Sequence, residues 1–568
     1  MNNEEINNDA EKMNIVEIVN SHELICKQNI SSMDKTYVNN EIIRKIIKEL
    51  KNSNTRGHDG MNNNMLKMIF VNDLVIEKIK LFVNLILYTG YIPKTLNTSI
   101  IIPIIKDKSM NQFDKNNYRP ISVSNVLAQI LEKVILVNCP IINNSSTVQF
   151  GFKNLMSTIH PLFLLKEAIH KYKLEEKPLY IASLDSEKAY DSVWRDGMFF
   201  KLIDVITNQF WHIARAYYNQ STGYFKIDGI VDKKVIKINR GVKQGGVLSP
   251  QLFNFFINEL LEILKNSGMG IRCGNTNLPI MGYCDDTQLL ANLICELQRM
   301  IDICVDYSKK WLMKYNIKKS MIMNIGYQMI KNEDIKIKIN DRVLPVVSEC
   351  KYLGLKITEK NEDDNYLVEK FRNIQRCVYS LNSYGLKPTG VNPRVKSFIY
   401  NTYCQPVGSY GIGLINVKKK TINQVNIVQN NLIRYMLDIP YKSHISNLLR
   451  VLKIVDVETL IDINKCTIIK LLHRDKLSKD ILIDNINAKN EDWWLYRDIK
   501  KISEQLGIEI ERVCYYPDIT RKMILEKYYE ANQIENEIRE EMDQLLKDYS
   551  FKNKKKLKDL VKITWSDE

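Results

Sequence analysis

Apolar residues take helical spacing from Asn40 onward, with Ile42, Ile43, Ile46, Ile47 and Leu50 on one face. That stripe runs into the turn-forming stretch Thr55-Arg56-Gly57-His58-Asp59-Gly60. A second helical stretch spans about 73–89 and is closed by Gly90 and Pro93. The period then changes, and the β-branched run Ser99-Ile100-Ile101-Ile102-Pro103-Ile104-Ile105 predicts a strand. Helices are expected over about 124–137 and 156–173, and 180–185 reads as a short strand. Asp185 then lies at a strand-to-helix junction, with Ala189, Val193 and Trp194 opening the helix. Two β-rich pieces flank Asp228-Gly229, a hairpin signal. Ser249 is placed to cap, and Pro250 to open, an apolar helix reaching about Asn266. Segments 278–283 and 288–293 predict a hairpin around Asp285 and Asp286, followed by a helix over about 296–315 and short strands near 319–325 and 350–358. Beyond Glu359 the pattern is mostly helical and basic. Helices interleaved with hairpin-joined strands indicate an α+β fold.

A chain of 568 residues exceeds one compact core, so two or three domains are expected. Residues 1–38 are polar and Asn-rich, and read as a loosely ordered leader; 39–84 read as an N-terminal helical extension. The net charge of +15 favours a polyanionic partner, nucleic acid being the commonest, although an Asn-, Ile- and Lys-rich composition raises lysine without any partner. The 11 cysteines include no C-x-x-C and only 7 histidines are present, which excludes a zinc ribbon or knuckle. Met-Asn-Asn-Glu-Glu does not open a signal peptide, and no run approaches the ~18 apolar residues that span a bilayer. The expectation is an intracellular protein of nucleus or cytoplasm, neither secreted nor in a membrane. A basic run, Lys552-Asn553-Lys554-Lys555-Lys556, suits nuclear entry, RNA binding or simply a solvated helix end.

The candidate chemistry is acidic. Ser183-Leu184-Asp185-Ser186-Glu187-Lys188-Ala189-Tyr190-Asp191 and Met281-Gly282-Tyr283-Cys284-Asp285-Asp286-Thr287 each put a carboxylate at the end of an apolar run. Brought side by side they would repel, and burial would raise their pKa, unless cations lie between them. Two hard divalent ions held that way serve phosphoryl transfer by in-line displacement. An Asp-Asp pair alone means little, because turns favour Asp for backbone reasons. Between the acidic segments lies Gly241-Val242-Lys243-Gln244-Gly245-Gly246-Val247-Leu248-Ser249-Pro250. Its glycines, Gly245 among them, allow backbone to approach a ligand, and Gln244 offers both donor and acceptor; a tight turn before a helix is the plainer reading.

The order of pieces is more specific than any one of them. Asn117-Tyr118-Arg119-Pro120-Ile121-Ser122, Gln149-Phe150-Gly151-Phe152-Lys153 through Ser157-Thr158, Leu184-Asp185 to Tyr190-Asp191, Gly241 to Phe253, Tyr283-Cys284-Asp285-Asp286, Asn316 to Lys319-Ser320 and Lys351-Tyr352-Leu353-Gly354 follow one another. Upstream stand Lys51 to Gly57-His58-Asp59-Gly60 and Gly90-Tyr91-Ile92-Pro93. This series resembles a reverse transcriptase of the LINE-type, non-LTR retrotransposon class, with group II intron polymerases as more distant relatives. The resemblance covers about residues 40–475. It departs at Lys153, where Arg is usual, and at Cys284, where Ala is commoner.

The resemblance implies a right-hand polymerase: fingers and palm with an antiparallel sheet over 85–358, a helical thumb and connection over 359–475, and a basic helical region over 476–568. It implies two Mg²⁺ ions on Asp185 and Asp285, with Asp286 nearby and the Ser186 carbonyl a further ligand. Lys106 and Arg119 match positions that hold the incoming triphosphate, although Lys106 also reads as a surface lysine. Tyr190 matches an aromatic that excludes a 2′-hydroxyl, and Lys319 matches the acid that protonates pyrophosphate; the alternatives are a core aromatic and one more exposed lysine. Asp191 is expected to cap or pair. The implied partners are an RNA template, a DNA primer or target, and dNTPs. The short leader and the lack of a Cys–His cluster or ribonuclease H carboxylate set near the C-terminus suggest a polymerase-centred piece of an element. Two rival readings are a catalytically inactive remnant that only binds nucleic acid, and an RNA-directed RNA polymerase.

Overall fold

The computed structural model describes residues 9–30, 35–327, 329–360, 363–388 and 391–530, with 540, 543 and 544; the basic run at 552–556 lies outside the described residues. The central strand, Pro178–Leu184, is apolar almost throughout because both of its faces are covered. Tyr180, Ala182 and Leu184 enter one hydrophobic core, while Leu179 and Ile181 enter a second on the opposite face. Around it stands an antiparallel sheet in the order Met321–Gly326, Pro178–Leu184, Asp286–Ala291, Ile280–Tyr283. The α+β expectation and the antiparallel palm sheet are both borne out.

A second sheet forms at Thr98–Ile105, which pairs antiparallel with Tyr118–Val123 and parallel with Thr222–Ile227. The hairpin expected at Asp228-Gly229 is present, both residues having positive φ of 50° and 85°. The strand Tyr118–Val123 was not anticipated, and Pro120 within it is at odds with a central strand. It is an edge strand, where a residue without an N–H leaves no ladder partner unmet, and Pro120 stands opposite Pro103.

Three further expectations are corrected. The supposed loose leader holds a helix, Ala10–Asn29, capped by Asp9 and burying Ile15, Val19 and Cys26. Its polar remainder hides so thin a stripe. Arg215, nearly buried, ties this helix to the body by contacting Glu23 at 3.2 Å and Asp196 at 2.6 Å. A helix at Asn208–Asn219 escaped notice because Gln209, His212 and Arg215 are buried along with its aromatic residues, so residue type does not mark its inward face. Ser249 is the first residue of its helix and does not cap it; the Glu132 carboxylate accepts from the Val247 and Leu248 N–H groups instead.

Beyond residue 362 the described chain is helical, from Asp363–Ser380 to Pro517–Tyr529. It docks along the helix Ile159–Leu174 through buried polar contacts. Lys166 Nζ lies 2.5 Å from Asp363 Oδ1. Glu167, wholly buried, accepts from the indole N–H groups of Trp493 (2.6 Å) and Trp494 (2.7 Å). Among the described residues, no helix is long and apolar enough to cross a membrane.

Burial pushes Glu167 from the ordinary 4.5 up to about 8, against the two indole donors, which favour the ionised form. The folded chain therefore holds this proton more tightly than the unfolded chain, and stability falls as pH rises between those two values. Between about pH 5.5 and about pH 8.5, the wild type should lose roughly 3 kcal/mol more unfolding free energy than Glu167→Gln, measured by urea denaturation. Parallel pH profiles for the two proteins would contradict the burial argument.

Candidate active site

Asp185 follows the last residue of the central strand, and residues 314–320 pin it there. Its N–H donates to Ser320 Oγ at 3.1 Å, and its carbonyl accepts from Asn316 N–H at 2.7 Å. Ser186 bridges to Tyr315, and the Glu187 N–H donates to the Lys314 carbonyl. The chain then passes through Lys188 in left-handed conformation (φ 48°) into a single turn, Ala189–Ser192. That turn delivers Tyr190, whose ring stacks on Phe253 with centroids 5.1 Å apart and meets Phe152 edge-on.

Asp285 sits in the tight turn between the hairpin strands, which Tyr283 and Asp286 close as a pair. Thr287 is paired with Leu184, so the register brings Asp185, one residue on, across from Asp286. The three carboxylates feel one another. Burial raises the pKa of Asp285, and the charge of Asp185 adds to it while Arg119 and Lys319 oppose it. Asp286, at the lip of the cleft with part of its side chain in water, is pushed up to about 6 by desolvation and then by Asp285 and Asp185. Asp185 is raised by burial and relieved by Lys319, whose Nζ lies 4.0 Å from Oδ2.

Among the described residues no three His, Cys, Asp or Glu side chains are gathered so as to hold an ion unaided. The carboxylates offer a few hard oxygen donors and leave the rest of a coordination sphere to other oxygens, which suits a small cation that keeps water and substrate phosphate.

Cations line the facing side. Lys106 ends one fingers strand and donates to the Asn116 carbonyl at 2.8 Å; Arg119 stands on the neighbouring strand opposite Ile104. Burial lowers the Lys106 pKa, and the charges of Lys319, Arg119 and Lys188 lower it further, so these groups share one neighbourhood. The loop from Gly241 closes against both acidic and fingers segments. A Cβ at Gly241 would meet the Tyr190 carbonyl at 2.6 Å, and one at Gly245 (φ 109°) would meet the Ser122 carbonyl at 2.7 Å. The Ser122 N–H donates to the Gln244 carbonyl, and Gln244 Nε2 donates to Asp191 Oδ1 at 3.0 Å. Asp191 thus pairs, as expected. The structure brings Asp185, Ser186, Asp285, Asp286, Lys319, Lys106, Arg119, Tyr190, Gln244 and Gly245 around one cleft. Lys153 instead turns away, donating to the Ser145 and Ser146 carbonyls.

Residues 105–357 match the family described as reverse transcriptase (RNA-dependent DNA polymerase). That stretch is a reverse transcriptase domain. The chain is 25% identical over 417 residues to the RNA-directed DNA polymerase from mobile element jockey of Drosophila funebris, covering 71% of this chain and 44% of that one. It is 26% identical over 284 residues to the Pol polyprotein from the type-1 retrotransposable element R2 of Popillia japonica, covering 48% and 39%. Apo telomerase from Candida tropicalis aligns over 83% of this chain and 74% of its own at 11% identity, with a TM-score of 0.36, too loose a likeness to carry weight. The chain spans under half the length of the curated relatives it matches first. These relatives bear out the LINE-type resemblance that the motif order carried.

The reverse transcriptase domain also uses residues that sequence reasoning passed over. Lys188 stood inside a quoted segment but looked like one more lysine; its left-handed φ and its charge on Asp191 set it apart. Ser320, fully buried, was quoted only as part of a motif, and Glu132 not at all.

Like charges held together oppose folding when no cation offsets them. In EDTA at about pH 8, Asp286→Asn should raise unfolding free energy by roughly 1 kcal/mol, a figure kept small by the residue's access to water. Denaturation of the two proteins side by side decides it; a destabilised variant would mean that Asp286 is held by favourable contacts.

Proposed function

We propose that this chain is the RNA-directed DNA polymerase of a non-LTR retrotransposon, extending a DNA 3′-hydroxyl on an RNA template with dNTPs. The observation that carries the reading is the meeting of Asp185, Asp285 and Asp286 at one end of the palm sheet, faced by Lys106, Arg119, Lys188 and Lys319. The donor set is oxygen only and the carboxylates are raised by burial and by one another, which fits hard divalent cations. Two Mg²⁺, held by Asp185, Asp285 and the Ser186 carbonyl with Asp286 at hand, would supply the positive charge that a phosphoryl-transfer transition state and a pyrophosphate leaving group require.

The remaining roles belong to this chain's own groups. Arg119 presents a guanidinium fork and Lys106 a point charge to the triphosphate. Lys319, beside Asp185, holds a proton at Nζ for the departing pyrophosphate. Gln244 and Gly245 flank the nucleotide, where backbone must come close. Tyr190, braced on Phe253, blocks the place of a 2′-hydroxyl, which disfavours an RNA-directed RNA polymerase. Segments 85–358, 359–475 and 476–568 serve as fingers and palm, thumb with connection, and basic helical extension. A basic thumb would grip the duplex through phosphates, with salt-sensitive, sequence-tolerant affinity. The place of work is inside the cell, in nucleus or cytoplasm. No observation favours the binding-only remnant: Asp185, Asp285, Asp286 and Gly245 all stand in position.

Purified protein should extend a DNA primer on RNA in Mg²⁺, and Asp285→Asn should lower the rate by roughly a thousandfold or more while leaving duplex binding intact. Folded wild-type protein that binds primer–template and never extends it would overturn the assignment. In the same assay Tyr190→Ala should raise ribonucleotide use relative to deoxynucleotide by roughly tenfold or more. Unchanged sugar discrimination would return Tyr190 to a packing role.

A further inference from the structure

Gln149 has no part in the roles above, and its side chain is wholly buried. It lies on a segment that joins the edge of the palm sheet. The Phe150 N–H donates to the Gly282 carbonyl, and the Gly282 N–H to the Val148 carbonyl, both at 2.8 Å, with Gln149 and Gly282 bridged in parallel. From there the amide reaches the turn of the catalytic hairpin. Its Oε1 accepts from the Cys284 N–H and from the Gly151 N–H, each at 2.9 Å. Its Nε2 faces the Cys284 carbonyl at 3.4 Å.

The residue so held is the one that needs holding. Cys284 has a φ of 59°, a region that side-chain-bearing residues avoid, and it immediately precedes Asp285. A second wall prevents escape on the other side. A Cβ on Gly151 would come within 2.4 Å of both the backbone nitrogen and Sγ of Cys284, and Asn254 Nδ2, itself buried, donates to the Gly151 carbonyl at 2.7 Å.

We propose that Gln149 is a positioning residue for Asp285: by bonding both the N–H and the carbonyl of Cys284, and so the two peptide units that flank its Cα, it keeps the turn left-handed and fixes how Asp285 meets a divalent cation beside Asp185. The inference rests on the polymerase reading and assigns the cation-presenting geometry of that site to a side chain outside it. Gln149→Met keeps the volume but removes the acceptor from two buried N–H groups, so the turn is free to leave the left-handed region. Gln149→Asn, one methylene short, is the second variant.

The test is a Mn²⁺ titration by electron paramagnetic resonance, on full-length protein with primer–template and a non-incorporable dNTP analogue, alongside primer extension across Mg²⁺ concentrations. Both variants should need about tenfold more cation for half-saturation, while the extension rate at saturating Mg²⁺ stays within about threefold of wild type. A purely packing role would lower thermal stability or the active fraction and leave the cation titration in place; folded variants with wild-type half-saturation in both assays overturn the proposal. Wild-type protein that neither extends primer nor binds Mn²⁺ would instead remove the polymerase reading itself.

Discussion

Carboxylates of like charge, placed where neighbouring strands of one ladder end, repel at short range, and a protein that keeps them there must hold them by force of structure. Asp185 and Asp286 face each other because Thr287 and Leu184 are paired, and slipping that register by one residue would also turn every buried side chain of Pro178–Leu184 to the wrong core. The hydrophobic commitment of the strand thus enforces an electrostatic arrangement that the acidic groups would not adopt alone. Lys319, Lys106 and Arg119 offset part of the repulsion, yet all three carboxylates remain above their ordinary pKa. What is left over is a standing demand for cationic charge in the cleft, which is how a scaffold becomes a binding site.

The same logic explains where the fold tolerates backbone strain. Lys188 lies three residues after Asp185 and Cys284 one before Asp285, each with positive φ and each in a turn bonded to its neighbours. The turn after Asp185 is bonded to residues 314–320, and the turn before Asp285 to Gln149. Close approaches also fix Gly151, Gly241 and Gly245, where added methyl groups would meet backbone or Sγ.

What the sequence made legible follows from how local each signal is. The helix at Asp73–Thr89, closed by Gly90, and the hairpin around Asp285 were readable because period, cap and turn residues all agreed. Asn208–Asn219 was not, since polar Gln209, His212 and Arg215 are buried among its aromatics, and Tyr118–Val123 was not, since Pro120 is acceptable only on an edge that sequence cannot reveal. In the site, the carboxylates and the glycine loop were readable by residue type and order. Glu132 stood in no quoted motif; Gln149 and Lys188 stood inside quoted segments, and only the folded chain shows what each acts on. Lys153 shows the converse: a position inside a recognisable motif whose side chain faces the 145–146 carbonyls.

Two sets of buried polar contacts outside the acidic cluster join its neighbours to the rest of the chain. Beneath the loop from Gly241, Glu132 accepts from Tyr217 OH and from the Val247 and Leu248 N–H groups just before the helix Ser249–Lys265, while Lys243 lies over the Tyr217 ring at 3.9 Å, its pKa pushed down to about 8 by burial. Along Ile159–Leu174, Lys166 and Glu167 fasten the palm to the start of the helical C-terminal region and to the opening of its helix Trp494–Leu506. Apolar packing alone would hold both places with less specificity, because a carboxylate that must find two indole N–H groups accepts few alternative dockings. The helix Ile159–Leu174 packs on the strands Pro178–Leu184 and Ile280–Tyr283, which lead to Asp185 and Asp285, and the loop at Gly241 packs on Tyr190 and Asp191, so both joints are built against segments that position the carboxylates.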